Sequence, residues 1–231
     1  MPIGVYRRTE ETKRKMGKIS HLRQANHCDL SNKAIEWISG ELMGDGCLYS
    51  KNKYSAYFEY TSKHFEYINY VSDTLKSFGI EQAGKIYKNW KGKTFKNGRW
   101  VDRPITLFPK SFNYKSRCYP ELKSIRDRWY PNGKKIIPKN LKLTSLTCRQ
   151  HYIGDGSLLH PKNANPYIQL ATCGFPIGNV EWLTNKLNNL GFKSTRQLHR
   201  NGIHISTYST PAFLKYIGRC PCSVYDYKWK I

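Results

Sequence analysis

Residues 40–50 read GELMGDGCLYS and residues 152–160 read YIGDGSLLH. The same Gly-Asp-Gly closes two helix-like stretches and is followed each time by a strand-like one. A single Asp-Gly is ordinary turn chemistry. Two in the same sequence phase predict a duplicated unit with one acid in each copy. The phase holds further along. Asp45 precedes a helix stopped at Gly79 (LKSFGI, 75–80), and Asp155 precedes one stopped at Gly191 (LNNLGF, 187–192) at nearly the same interval.

Outward from Asp45, Ser31 is a helix cap, with Ile35, Ile38 and Leu42 at helical spacing. Gly40 and Gly44 lie one turn apart on that helix, and Gly46 ends it. Two interior glycines lose about 1 kcal/mol each against Ala, which makes sense where a second helix backbone must come very close. CLYSKNKYSAYFEYTS (47–62) alternates around a polar centre, as a β-hairpin does. Ser62 caps a helix carrying Phe65, Ile68, Val71, Leu75 and Phe78. A longer strand pair is predicted over roughly 84–109, and Pro120 starts a helix with Leu122, Ile125 and Trp129. The pattern then restarts. A Thr144-capped helix runs into Asp155, and a hairpin covers 157–172. A helix through Ile177, Val180, Leu183, Leu187 and Leu190 follows. The next hairpin turns at Asn201-Gly202, and Pro211 begins a last helix. The fold class is α+β, two αββαββα copies related by a pseudo-twofold. The expected organisation is a basic arm over 1–30, a first half over 31–130, a bridge over 131–142 and a second half over 143–231. In the arm, Thr9 caps a short helix whose first turn carries Glu10 and Glu11.

Composition narrows the partner. The chain has 231 residues, 39 Lys and Arg against 16 Asp and Glu, and a formal net charge of +23. Folding does not need such charge, because self-repulsion opposes compaction. No run of about 18 apolar residues suits a bilayer, and the first 30 residues hold no apolar core of the signal-peptide kind. Nucleic acid is the expected partner. The seven cysteines are scattered, with no Cys-x-x-Cys pair, so reduced thiols are expected and zinc is not.

An aspartate at a helix C-terminus faces the negative end of the helix dipole, so it calls for a cation. Carboxylates and exposed carbonyls are hard oxygen donors suited to Mg²⁺, with Mn²⁺ or Ca²⁺ able to substitute in binding. Packing through Gly40 and Gly44 would bring Asp45 and Asp155 together. Two acids sharing divalent ions beside basic sheets form a phosphodiester-hydrolysis constellation. Sheet faces would offer alternating side chains to base edges. The candidates are Lys51, Lys53, Tyr57, Glu59, Lys85, Tyr87, Lys88, Arg99 and Arg103 in the first half. In the second they are Lys162, Asn163, Asn165, Gln169, Lys193, Thr195, Arg196, Gln197, His199 and Arg200. A one-residue slip of register would turn any of these to the other face.

ISGELMGDG (38–46) resembles the signature of the LAGLIDADG homing endonucleases. WYPNGKKIIPKNLKLTSLTCRQHYIGDGS (129–157) resembles the bridge and second motif of their monomeric, intron-encoded members. TEETKRKM (9–16) is similar to short DNA-binding modules appended to mobile-element nucleases; the other reading of it is a solvated leader. The family resemblance implies two four-stranded antiparallel sheets set in successive major grooves, with the motif helices between the halves. It implies that Asp45 and Asp155 bind metal, that the Gly44 and Gly154 carbonyls add ligands, and that Lys135 and Lys228 serve as catalytic lysines near the scissile phosphates. It further implies a monomeric, Mg²⁺-dependent endonuclease that cuts one strand of a long asymmetric site per aspartate. Cys148-Arg149-Gln150-His151 departs from the motif's usual small or apolar residues, and Gln150 stands at the close-contact position. His151 reads as a partly buried helix residue rather than a base. The alternative is an intron RNA maturase or a non-cleaving DNA-binding protein on the same scaffold, with intron RNA as partner. The cytoplasm or nucleoid is the expected location, or an organelle in a eukaryotic host.

Overall fold

The computed structural model describes residues 9–89, 93–96, 98–102 and 110–231. After helix α1 (Glu10–Gln24), the first unit comprises α2 (Asn32–Met43), β1 (Cys47–Tyr49), β2 (Tyr57–Ser62), α3 (Phe65–Ser77), β3 (Tyr87–Asn89), β4 (Lys93–Lys96), β5 (Arg99–Asp102), β6 (Ser111–Lys115) and α4 (Pro120–Trp129). The second comprises α5 (Ser145–Asp155), β7 (Gly156–Leu159), β8 (Tyr167–Leu170), α6 (Ile177–Asn189), β9 (Ser194–Gln197), β10 (Gly202–Ile205) and α7 (Thr210–Ile217), with a 3₁₀ turn over Ser223–Lys228.

The duplication is visible in the strand order. Each unit forms an antiparallel four-stranded sheet, β1-β2-β6-β3 in one and β7-β8-β10-β9 in the other. One face of each sheet packs on helices. Phe58, Tyr60 and Tyr114 are buried on it in the first unit, and Ile168, Leu170, Ile203 and Ile205 in the second. Between them these rows sit in one continuous core with Trp37, Tyr67, Val71, Leu183 and Phe213. The opposite face of each sheet is polar. No helix among the described residues is long and apolar enough to cross a membrane.

The helix starts follow their capping chemistry. Ser31 accepts from Ala34 N, Thr144 from Thr147 N, and Thr9 from Thr12 N. Three expectations shift. Ser62 ends β2 rather than capping α3; its hydroxyl accepts from His64 N, which is the N-cap. The strand pair foreseen over 84–109 splits. β3 pairs with β6, which begins only at Ser111, while β4 and β5 form a separate two-stranded hairpin between them. The second-unit hairpin is not a two-residue Asn-Gly turn. Four residues separate β9 from β10, with Asn201 at φ 47, and Gly202 already belongs to the strand. The 3₁₀ turn had no clear periodic signal, being too short for one.

Helices α2 and α5 cross at the junction of the two units, and their spacing is set by missing side chains. A Cβ on Gly40 would stand 2.7 Å from both Thr147 O and Gln150 Cβ. Backbone cannot yield at the first of these. Gly40→Ala is therefore expected to lower stability by about 1–2 kcal/mol, because overpacking of roughly 1–3 kcal/mol outweighs the ~1 kcal/mol gained in helix propensity. Urea unfolding of the two proteins checks the sign.

Candidate active site at the helix seam

The glycine before each motif aspartate brings the backbones into near contact. A Cβ on Gly44 would lie 3.2 Å from Gly154 Cα, and one on Gly154 would lie 3.2 Å from Gly44 Cα and 3.3 Å from Asp45 N. Asp45 and Asp155 follow these glycines directly, so the seam delivers one carboxylate from each unit to the same place. The glycines after the acids serve a different contact. A Cβ on Gly46 would press 2.8 Å from Glu41 O, and one on Gly156 would press 2.5 Å from Tyr152 O. Each Gly-Asp-Gly thus reads as one glycine for the partner helix, one acid, and one glycine for the fold-back onto its own last turn.

The acids feel one another. Burial first, then the charge of Asp45, pushes the Asp155 carboxyl up to about 6, against the opposing pull of Lys135 and Lys228. Two lysines flank the pair. Lys135 Nζ donates to Gly44 O (3.1 Å) and Gly46 O (2.9 Å). Lys228 Nζ donates to Ile153 O (2.6 Å) and Tyr152 O (3.4 Å). Each ammonium therefore sits on the negative C-terminal end of one motif helix. Burial lowers both, Lys228 to about 8, while the two aspartates hold them up. Two carboxylates and two ammonium groups leave the seam close to electroneutral.

Among the described residues, no three of His, Cys, Asp and Glu stand close enough to hold an ion by side chains alone. The donor set is two mutually repelling carboxylates with helix-end carbonyls nearby. Hard oxygens in that number fit Mg²⁺, which keeps waters and takes phosphate oxygens for its remaining positions. Gly44 O already accepts from Lys135, but a carbonyl has a second lone pair for a cation.

Register decides which basic residues share the seam's side. In the first sheet, Cys47, Glu59 and Lys115 align across β1, β2 and β6. Lys85, Tyr87, Glu59 and Lys115 line a groove of about 510 Å³ on the uncovered face. Lys51 stands over the Tyr57 ring at 5.9 Å, and Lys53 over Tyr54 at 5.1 Å in the β1–β2 loop. Arg99 is exposed at the β4–β5 turn. Lys88 does not share this face. It pairs with Phe112, whose ring packs on Phe65 of α3, so the alternation turns it to the helix side. Arg103 lies outside the described residues.

In the second sheet, Gln169 aligns with Ser157 and His204 on the uncovered face and donates to Gln197 (2.9 Å). Lys193 is exposed, two residues before Thr195, which pairs with His204. Lys162, Asn163 and Asn165 are exposed in the β7–β8 loop. His199 and Arg200 line a cavity of about 620 Å³ at the β9–β10 turn. Arg196 is a correction. It pairs with buried Ile203, reaches Glu181 of α6 at 3.3 Å and Asn201 at 3.4 Å, and so stays on the helix side.

Residues 35–213 match the LAGLIDADG DNA endonuclease family. The chain belongs to that family. A protein of Methanocaldococcus jannaschii without an assigned function is 25% identical over 217 residues, covering 87% of this chain and 78% of that one. The homing endonuclease I-WcaI, solved bound to its DNA recognition sequence, shares the fold. Its TM-score is 0.72 at 17% identity, covering 99% of this chain and 96% of that one. I-DmoI, solved with DNA and Mn, aligns less closely, with a TM-score of 0.45 at 15% identity over 79% of this chain and 97% of that one.

The LAGLIDADG seam holds one acid that sequence reading passed over. Glu41, one turn before Asp45, is 1% exposed and accepts from Tyr67 OH at 2.6 Å. Its partners orient the Gln150 amide. The nitrogen donates to Glu41 Oε1 (2.9 Å), while the oxygen accepts from Trp37 Nε1 (3.3 Å) and Tyr70 OH (3.1 Å). Gln150 at the close-contact position is thus the hub of a polar network in Gly40's notch. The available signal was an acid between Gly40 and Leu42, on the face that the glycines mark as packed. His151 is more buried than foreseen, at 2% exposed; burial and the two lysines press it down to about 4, so it is neutral at pH 7.

Burial holds the Glu41 carboxyl up at about 8, above its ordinary 4.5. The folded chain then keeps a proton that the unfolded chain releases. This contribution to stability is whole below about 4.5 and is lost as pH rises through 8. Glu41→Gln keeps the shape and the Tyr67 contact, so it is expected to flatten the fall in stability between about pH 5 and 8, where the wild-type slope reaches up to ~1.4 kcal/mol per unit. Urea midpoints across that range check it.

Proposed function

We propose that this chain is a site-specific double-strand DNA endonuclease that hydrolyses phosphodiester bonds with Mg²⁺, cutting one strand per motif aspartate at a long asymmetric site. One observation carries the reading: Asp45 and Asp155 meet across a glycine-lined seam, beside two sheets whose uncovered faces carry lysine, glutamine and tyrosine. A duplex laid along those faces would bring a phosphate of each strand to the seam. The net charge of +23 supplies the attraction.

Asp45 and Asp155, with the Gly44 and Gly154 carbonyls beside them, would hold the divalent ion. When bound, the ion supplies charge stabilisation for the phosphoryl oxygens and a more acidic water. The chain's own residues do the rest. Lys135 and Lys228, fixed on helix-end carbonyls, place ammonium protons where negative charge grows on each scissile phosphate. Burial keeps their pKa values low, so each can also release a proton to the departing oxygen more readily than a solvated lysine. His151, neutral and packed in α5, takes no proton. We further propose that the chain acts as a monomer, because both halves of the seam lie in one polypeptide and Gln150 fits Gly40's notch but would clash with a copy of itself.

A plasmid carrying the uninterrupted form of the gene that harbours this reading frame, incubated with protein and Mg²⁺, is expected to be linearised. Asp45→Asn or Asp155→Asn should abolish linearisation, as should EDTA, and Lys228→Met should slow it by about 100-fold. Unchanged linearisation by the Asp45→Asn/Asp155→Asn double variant contradicts the reading. Tight binding of the intron RNA with no cleavage under any divalent ion would favour the maturase instead.

A further inference from the structure

The pseudo-twofold places Glu59 of the first sheet and Gln169 of the second in equivalent positions. Cys47 and Ser157 each follow their motif aspartate by two residues, and each is aligned with its central-strand partner, Glu59 or Gln169. The next strand contributes Lys115 opposite Glu59 and His204 opposite Gln169. Both positions lie on uncovered faces, on the strand beside the one that leaves each motif aspartate. The two halves differ there in donor and acceptor chemistry.

In the first half, Asn113 spends its amide hydrogens on Glu59 Oε1 and Thr61 Oγ1, both at 2.8 Å. That fixes the Glu59 carboxylate, and Lys115 Nζ lies 3.5 Å from its other oxygen. A carboxylate on a surface made for phosphates is repelled unless it meets a donor. The pair offers one acceptor beside one cation. In the major groove, a C·G pair presents the matching set, a cytosine N4 donor beside the adjacent guanine acceptors O6 and N7. A T·A pair in its place breaks the acceptor run with the adenine N6 amino group and sets the thymine O4 acceptor against the carboxylate.

In the second half, Gln169 Nε2 donates to Gln197 Oε1 at 2.9 Å. What remains is the acceptor oxygen of Gln169 and the donor nitrogen of Gln197. Acceptor plus donor is the complement of adenine N6 and N7.

We infer that Glu59 with Lys115 reads a C·G pair, and Gln169 with Gln197 an A·T pair, at positions mirrored about the cleavage centre. The inference rests on the duplex-DNA reading given above and names the bases that distinguish the half-sites. It also gives the two halves a defined orientation on the target, since a palindrome would satisfy only one of them.

The test is selection of bound duplexes from a random-sequence pool by the full chain in metal-free buffer. Wild type, Glu59→Gln, Lys115→Met and Gln169→Glu are compared by sequencing. The expected wild-type motif carries a C·G column and an A·T column equidistant from its centre. Glu59→Gln and Lys115→Met should lower selectivity in the first column alone by roughly 10- to 100-fold, and Gln169→Glu in the second alone. If a motif emerges and neither column moves in any variant, the inference is overturned and the endonuclease reading stands. If wild type enriches no motif, both fall. Equal melting temperatures across the four proteins tie each change to contact rather than folding.

Discussion

Everything at the seam follows from the close approach of two helix backbones. Gly44 and Gly154 permit it, since neither position has room for even a methyl group without displacing the other chain segment. The same approach forces Asp45 and Asp155 together at the negative ends of two dipoles. This is an unfavourable gathering of charge, and the chain answers it with two lysines drawn from elsewhere. Lys135 arrives on the bridge and Lys228 on the C-terminal 3₁₀ turn. Both segments lack strong regular structure of their own, and both are held down by the carbonyls their lysines meet. In the second unit, Tyr152 OH reciprocates by donating to Lys228 O at 2.6 Å.

The near symmetry breaks where it matters chemically. The Asp155 carboxyl is raised by burial and by Asp45, and Asp155 is the last residue of α5, whereas Asp45 lies beyond the end of α2. The network around Gln150 joins the two units but has no symmetry mate, because Gly40 stands at the matching position of α2. The seam and the two sheet faces thus differ together, so the two halves present unlike chemistry on one scaffold.

The duplication, the helix faces, both motif aspartates and the glycine notch were legible in the sequence because each rests on local periodicity or on a repeated tripeptide. The lysines became candidates only through the resemblance, since nothing local marks GKKIIP or YDYKWK as reaching a helix end some 90 or 75 residues away. Register was not legible. Charge alone puts Lys88 and Arg196 among the DNA contacts, but the pleat sends both to the helix side, where Arg196 finds Glu181. Glu41 was hidden because burial of an acid depends on tertiary partners, Tyr67 and Gln150, that lie far from it in the chain.

The central claim is that one carboxylate from each unit shares the seam. Carboxyl-carbon NMR titration of Asp155, in the wild type and in Asp45→Asn without metal, tests it most directly. The account expects a midpoint near 6 in the wild type and a clear downward shift once the neighbouring charge is removed. Superimposable titrations in the two proteins would show that the acids do not face each other, and the proposed site would go with them.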